Sequence, residues 1–527
     1  MKLFKKLMSY FIALTMVLSL ATLLGGNVHA ADATTYTLTL QNNGRTKHTF
    51  EVYQIFTGDL NDSTLSNIQW GNGITKNGQE ALGDAATKAG TLAGKADDSI
   101  EAKAFAEEVQ SHLATDKKVS VEVEANSQKN VGGLAAGYYL VKDEANSQNG
   151  VKEGATTSYI LKVVKNTTAT TKLDVPTVTK KVKDTNDSTG ESSGWQDSAD
   201  ADINDDVQYQ ITGTMPANIA DYTKYKYVFT DTMSKGLTYE HKDNERGNAT
   251  IKIGKTDSNG SFNADKVVTT SFAESVTNNA DGTTTVTWTC DDLTQAGVKL
   301  TPTTKVVVTY SAKLNKDAVI GSAGNPNTVN LTYSNNPNKG GDGETGKTPD
   351  DKNIVFTYKT VVNKVDQDTK PLAGAGFTLQ KKVKKDDGSF EYKDVKTIAA
   401  DKDKTSFTFE GLDDGDYKLI ESTTPAGYNT IASIEFKIEA THDETADEPK
   451  LLTLTGNKAD GTTFFATSTV KKGDKNVPTG ELTASVKNNK GSVLPSTGGM
   501  GTTLLYVAGG ILVACAAAYV VLNKKRA

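Results

Sequence analysis

Disulfides are the first thing this sequence cannot build: 527 residues hold two cysteines, Cys290 and Cys515, and the second sits inside an apolar run near the C-terminus. A disulfide framework is therefore excluded, and stiffness has to come from elsewhere. Cys290 reads as a small buried apolar residue. Histidine is scarce as well, with five residues scattered and none spaced as a His/Cys/carboxylate metal set, so no metal and no cofactor is expected. Basic blocks are missing: 58 Lys and Arg against 64 Asp and Glu leave a net charge of -6, which gives nucleic acid no surface to hold. No nucleophile/base arrangement or phosphate loop stands out, so the chain is not expected to be an enzyme. Helix signals are sparse. Thr, Val, Asn, Asp and Gly dominate, in short alternating stretches punctuated by turn residues, and the chain is long enough for about three cores.

Long hydrophobic runs occur only at the two ends. Lys2, Lys5 and Lys6 precede an apolar run from Phe11 to Leu24 and then Val28-His29-Ala30 before Ala31, the layout of a secretory signal peptide spanning 1–30 with cleavage between Ala30 and Ala31. The run is short of the ~20 residues that spanning a bilayer needs. At the far end Leu494-Pro495-Ser496-Thr497-Gly498 precedes an apolar segment from Leu504 to Leu522, closed by Lys524, Lys525 and Arg526. An apolar helix with a basic stop keeps the pentapeptide at the outer membrane face. The pentapeptide resembles the LPxTG sorting signal of sortase substrates, and 494–527 resembles the complete signal. The resemblance implies cleavage between Thr497 and Gly498 and transfer of the threonyl carbonyl to an amine.

Between the ends, three domains are expected. The first, 31–171, opens with the alternating strands Tyr36 to Leu40 and Thr49 to Phe56, passes through an Ala/Lys/Glu-rich stretch from Gln79 to Leu113 that predicts one or two helices lying on a sheet, and returns to strands at Gly137 to Val141 and Tyr159 to Val164. The second, 172–350, contains the alternating strands Tyr225 to Phe229, Thr283 to Thr289 and Lys305 to Ser311, and ends in an Asn/Gly/Asp-rich stretch from Ser334 to Asn353 that reads as a linker. The third, 351–490, repeats the strand-and-turn texture. The fold class is mainly β: tandem Ig-like or collagen-adhesin B-type sandwiches, with extra helices in the first domain.

Six polar residues break apolar strand faces, because side chains of one parity share a face. Val178 and Val182 flank Lys180; Tyr225, Tyr227 and Phe229 lead to Asp231; Val329, Leu331 and Tyr333 follow Asn327. In the third domain Phe356, Tyr358 and Val362 lead to Lys364, Tyr417 and Leu419 lead to Glu421, and Leu482, Ala484 and Val486 lead to Asn488. Burial lowers a lysine pKa and raises a carboxyl one, so a free amine can stand beside a neutral acid. Such an amine can attack an Asn side-chain carbonyl while the acid polarises it and moves protons, expelling ammonia and leaving an amide. The ordinary alternative is strand-end lysines reaching water and turn asparagines.

Tyr417-Lys418-Leu419-Ile420-Glu421 followed by Pro425-Ala426-Gly427-Tyr428 resembles the E-box of Gram-positive pilins and of collagen-adhesin B-type modules. A weaker echo, Gly137 to Val141, offers Asp143 and Glu144 in the first domain, where no bond is assigned. The resemblance to sortase-assembled backbone pilins implies isopeptide bonds from Lys180 to Asn327 with Asp231, and from Lys364 to Asn488 with Glu421. It also implies an exposed lysine that joins subunits: Lys172, by its position ahead of Lys180, with Lys165 as the alternative and Lys181 or Lys183 behind. The implied role is the shaft subunit of a secreted, wall-anchored fimbria. Its partners would be pilus-class and housekeeping sortases, copies of the same chain joined head to tail, minor tip and base pilins, peptidoglycan and possible host ligands. A wall-anchored adhesin displayed as a monomer is the rival reading.

Overall fold

The computed structural model describes residues 34–524 apart from 96–98, 171–174, 242–245, 338–340, 342, 474 and 493–499. The chain is mainly β, in three successive modules. In the first, the long strand His48–Asn61 is central to a five-stranded sheet, and its near-continuous apolar run has a reason: both faces are covered. Phe50 and Val52 pack with Leu38, Leu40 and Val131 of a three-stranded sheet, whereas Tyr53 and Ile55 pack under helices. Among the described residues those helices number three, Lys76–Leu82, Ala85–Leu92 and Ile100–Gln110, where one or two were expected. Thr75, Asp84 and Ser99 each accept a backbone N–H at a helix start, so each helix begins where a capping side chain relieves unpaired donors.

The middle module is a sandwich of a seven-stranded and a six-stranded sheet around one core that includes Phe229, Trp288, Tyr209 and Val308. The C-terminal module winds nine strands around a second core, and its first strand, Tyr358–Val365, lies parallel to its last, Lys475–Lys487.

The stretch from Ser334 to Asn353 is not a linker. It carries the strand Thr345–Lys347, and the next strand, Asp351–Phe356, completes the middle sheet by pairing with Asn325–Ser334 and Ser198–Asp200. Asp351–Phe356, assigned by sequence to the third domain, thus belongs by hydrogen bonding to the second. Ser334, Asn335, Glu344, Thr348 and Asn353 are buried. The polar composition serves a seam: Gly150 N and Glu153 N donate to Thr345 O and Lys347 O at 2.6 Å each, and Asn335 Nδ2 reaches Gln148 O at 2.9 Å, fastening the first module to the second.

The second seam is tighter, since only Thr357 separates Asp351–Phe356 from Tyr358–Val365. Gly321 N donates to Thr357 O (2.8 Å) and Ile203 N to Gly411 O (3.1 Å). Gly480, at φ +88°, lies so close to Gly321 that a Cβ there would sit 2.1 Å from the Gly321 Cα. Across the same seam Lys381 Nζ reaches Asp202 (2.5 Å) and Asp187 (3.5 Å), beside Asp413 of its own module (3.1 Å), and His442 Nδ1 meets Ser198 Oγ at 2.7 Å.

The seam holds protons. Burial, then the charges of Asp184 and Asp414, push Asp200 up to about 8. Burial and Asp200 raise Asp413 well above the carboxylate range. His442 is also raised, burial being outweighed by Asp184 and Asp200. Lys381, raised by Tyr417 and the surrounding carboxylates against burial, stays charged. A raised acid binds its proton in the folded state at pH values where the unfolded chain has released it, so stability falls as pH climbs from about 4 to about 8. The melting temperature of the ectodomain is expected to drop by about 5 °C between pH 5 and pH 9. Asp200→Asn should flatten that slope; an unchanged slope would show that the seam does not titrate.

Candidate cross-link sites

In the middle module the strand Val178–Val182 pairs with Asp206–Thr214 in one sheet, placing Lys180 opposite Ile211. Tyr227–Met233 and Asn325–Ser334 are neighbours in the other sheet, where Asp231 faces Val329 and Met233 faces Asn327. Asp231 and Asn327 therefore share the inward face, two residues out of register, and Lys180 approaches from across the sandwich. All three are fully buried. Lys180 Nζ lies 2.8 Å from Asp231 Oδ1, and its backbone N–H donates to Asp351 at 2.6 Å.

A fourth residue, absent from the sequence-derived trio, holds the group together. Tyr310 Oη is 2.6 Å from Lys180 Nζ, 2.8 Å from Asn327 Nδ2 and in hydrogen-bond contact with Asp231 Oδ2. Asn327 Oδ1 is buried without a hydrogen bond. The rings of Tyr209 and Tyr310, stacked at 5.2 Å, flank the amine, which lies 5.1 and 5.0 Å from their centres. Desolvation lowers the Lys180 pKa against the opposing pull of Asp231, and desolvation raises that of Asp231 against Lys180. Both shifts favour the neutral amine and the neutral acid over the ion pair.

The C-terminal site is built differently. Lys364, on the first strand, faces Val486 on the last, and Asn488 follows just beyond that strand's end. Lys364 Nζ contacts Asn488 Oδ1 directly and lies 3.3 Å from Glu421 Oε1. Asn488 Nδ2 donates to both Glu421 oxygens, at 2.9 and 3.1 Å. Glu421 Oε2 also accepts from Ile431 N at 3.1 Å, fixing the carboxyl. Burial lowers the Lys364 pKa against the Glu421 charge.

The first module differs from both. Asp143 of its E-box echo is buried, but its partners are His48 Nδ1 (2.8 Å) and the Thr157 backbone N–H (2.7 Å). Lys142 turns to Glu51 instead, at 2.7 Å, and Glu144 is exposed. Among the candidate joining lysines, Lys165 is exposed in the turn between Ser158–Val163 and Thr167–Thr170, Lys181 pairs with Asp197 at 2.5 Å, and Lys183 lies 5.0 Å from the Trp195 ring centre. Lys172, Ala30, Ala31 and Leu494 to Gly498 lie outside the described residues. Beyond them Met500–Lys524 is a helix whose segment Leu504–Lys524 is long and apolar enough to cross a membrane.

Two domain families match this architecture. The Gram-positive pilin backbone subunit 2, Cna-B-like domain matches residues 203–337, and the SpaA prealbumin-like fold domain matches 359–449. The first range contains Asp231, Tyr310 and Asn327 but not Lys180; the second contains Lys364 and Glu421 but not Asn488. The trypsin-resistant surface T6 protein of Streptococcus pyogenes serotype M6 is 26% identical over 279 residues, covering 50% of this chain and 45% of that protein. The chain thus matches less than half the length of this curated relative. The solved structure of the T6 backbone pilin of serotype M6 Streptococcus pyogenes superposes with a TM-score of 0.51 at 16% identity, over 88% of this chain and 100% of that one. The full-length major pilin SpaD of Corynebacterium diphtheriae gives a TM-score of 0.46 at 17% identity, over 88% and 99% of the two chains. The chain thus carries a Gram-positive pilin backbone domain over 203–337 and a SpaA prealbumin-like domain over 359–449, and it shares its overall fold with a solved backbone pilin.

Proposed function

We propose that this chain is the repeating shaft subunit of a covalently polymerised pilus, exported, joined to its neighbours and held to the cell wall. The observation that carries the reading is the pair of buried Lys/acid/Asn groups, one in each of the two later modules. Burying a lysine, a carboxyl and an amide together is costly unless they pair or react. Here the C-terminal arrangement brings the amine against the amide with the acid in contact, and the middle one joins amine, acid and amide through the Tyr310 hydroxyl, which supports Lys180–Asn327 and Lys364–Asn488 amides. The chemistry is intramolecular and asks for no enzyme or cofactor.

In this reading sortase cleaves after Thr497 and passes its carbonyl to Lys172 of the next copy, with Lys165 as the alternative acceptor. The apolar helix and the basic residues behind it hold the precursor until then. Pilus-class sortase lengthens the fibre, housekeeping sortase transfers it to peptidoglycan, and minor pilins occupy tip and base. Intact mass spectrometry of the folded ectodomain is the direct test. The expected mass is two ammonia units below the sequence mass, with Lys180–Asn327 and Lys364–Asn488 peptides after digestion. A mass equal to that of the sequence would end the proposal of internal bonds.

A further inference from the structure

We infer that Tyr310 is a catalytic residue of the middle-module bond, carrying the proton that lets ammonia leave Asn327. The inference rests on reading Lys180 and Asn327 as a bonded pair. It arises from a difference between the two sites. At the C-terminal site the acid itself touches the leaving nitrogen, since Asn488 Nδ2 donates to Glu421. At the middle site Asp231 makes no hydrogen bond to Asn327; Nδ2 meets Tyr310 Oη instead, at 2.8 Å. Aspartate is one methylene shorter than glutamate, and the tyrosine hydroxyl fills the remaining gap. It does so while contacting the other two groups, Lys180 at 2.6 Å and Asp231 through its second oxygen.

A phenol has one proton and two acceptor positions, which matches three neighbours. In the resting site Lys180 Nζ and Asn327 Nδ2 donate to Tyr310 Oη, whose own proton is directed at Asp231 Oδ2. Once attack makes Nδ2 a pyramidal amine with a lone pair, the neutral Asp231 O–H becomes the donor to Oη and the tyrosine proton turns to Nδ2. Attack then balances. The Lys180 Nζ to Asn327 Cγ bond forms, an Nζ proton passes to Tyr310 Oη, the tyrosine's own proton passes to Nδ2, and the Cγ–Nδ2 bond breaks. One amide and one ammonia result, and Tyr310 and Asp231 end as they began. Leaving-group protonation by a placed acid is the step such catalysis accelerates. The ring is held for the task, stacked on Tyr209 at 5.2 Å and edge-on to Tyr239 at 5.7 Å.

The test follows bond formation in freshly synthesised full-length ectodomain by intact mass and cross-linked peptides over time. Tyr310→Phe, which keeps the ring and loses the hydroxyl, is expected to slow the Lys180–Asn327 bond about 100-fold. The Lys364–Asn488 bond should still form fully, leaving a deficit of one ammonia. Tyr239→Phe removes a hydroxyl from the same aromatic cluster, one directed at Glu274, and should leave both bonds intact. Should Tyr310→Phe fail to fold, 3-fluorotyrosine at this position keeps shape and hydrogen bonding while acidifying the hydroxyl, and is expected to change the half-time at least about twofold. A Tyr310→Phe half-time equal to wild type, or a fluorinated chain bonding at the wild-type rate, overturns the inference. A wild-type chain without the Lys180–Asn327 peptide instead removes the reading beneath it.

Discussion

Glu421→Gln is expected to leave the C-terminal module without its cross-link and to lower that module's melting temperature by about 15 °C. The substitution keeps the volume and the acceptor for Ile431 N but removes the ionisable proton that amide formation needs. Lys364 and Asn488 are 124 positions apart, and closing a loop of that size is worth about 5 kcal/mol through the unfolded chain. For a module of this length each kcal/mol moves the midpoint by about 3 °C. The topology adds a kinetic consequence. The proposed Lys364–Asn488 bond would tie the first strand to the end of the last, which lie parallel and adjacent, so tension entering one and leaving the other would pass through the amide before loading the ladder between them. Calorimetry and a trypsin time course on wild type and variant measure the two effects. Equal midpoints and equal digestion rates would mean that no bond is present to lose.

Lys172→Ala is expected to abolish every species above monomer on a denaturing gel of wall extract, while monomer persists. Polymerisation needs an amine that reaches an acyl group on another protein, so the lysine must be free of partners. Lys181 pairs with Asp197, Lys183 covers Trp195, and Lys180 is buried. Lys165 is exposed in its turn and is the second choice. A ladder that survives Lys172→Ala but not Lys165→Ala moves the junction there; one that survives both removes the proposed head-to-tail linkage through this segment.

Much of this was legible residue by residue. Strand parity places Lys180, Asp231 and Asn327 on apolar faces, and the inward direction follows from Val178, Phe229 and Val329 beside them. The helical texture of the first module was legible too, but its division into three turned on caps at Thr75, Asp84 and Ser99. Tyr310 escaped because a tyrosine among Val306, Val308 and Ala312 reads as core; only the meeting of two sheets puts its hydroxyl at the reacting groups. The misread linker has the same cause. Asn335 and Glu344 have the composition of a solvated loop, and they are buried because segments some 190 positions earlier in the chain supply their partners.

The amino-acid order alone determined the apolar C-terminal helix, the β-rich class and the alternation that turns six polar side chains inward, since each depends on neighbours within a few residues. Tertiary structure decided that Lys364 contacts Asn488, that Glu421 reaches its amide directly while Asp231 and Asn327 meet through Tyr310 Oη, and that the last strand of the second module runs almost without a break into the first of the third. Those outcomes depend on distances between chain segments far apart in sequence, and packing two sheets into one dry core is what sets them.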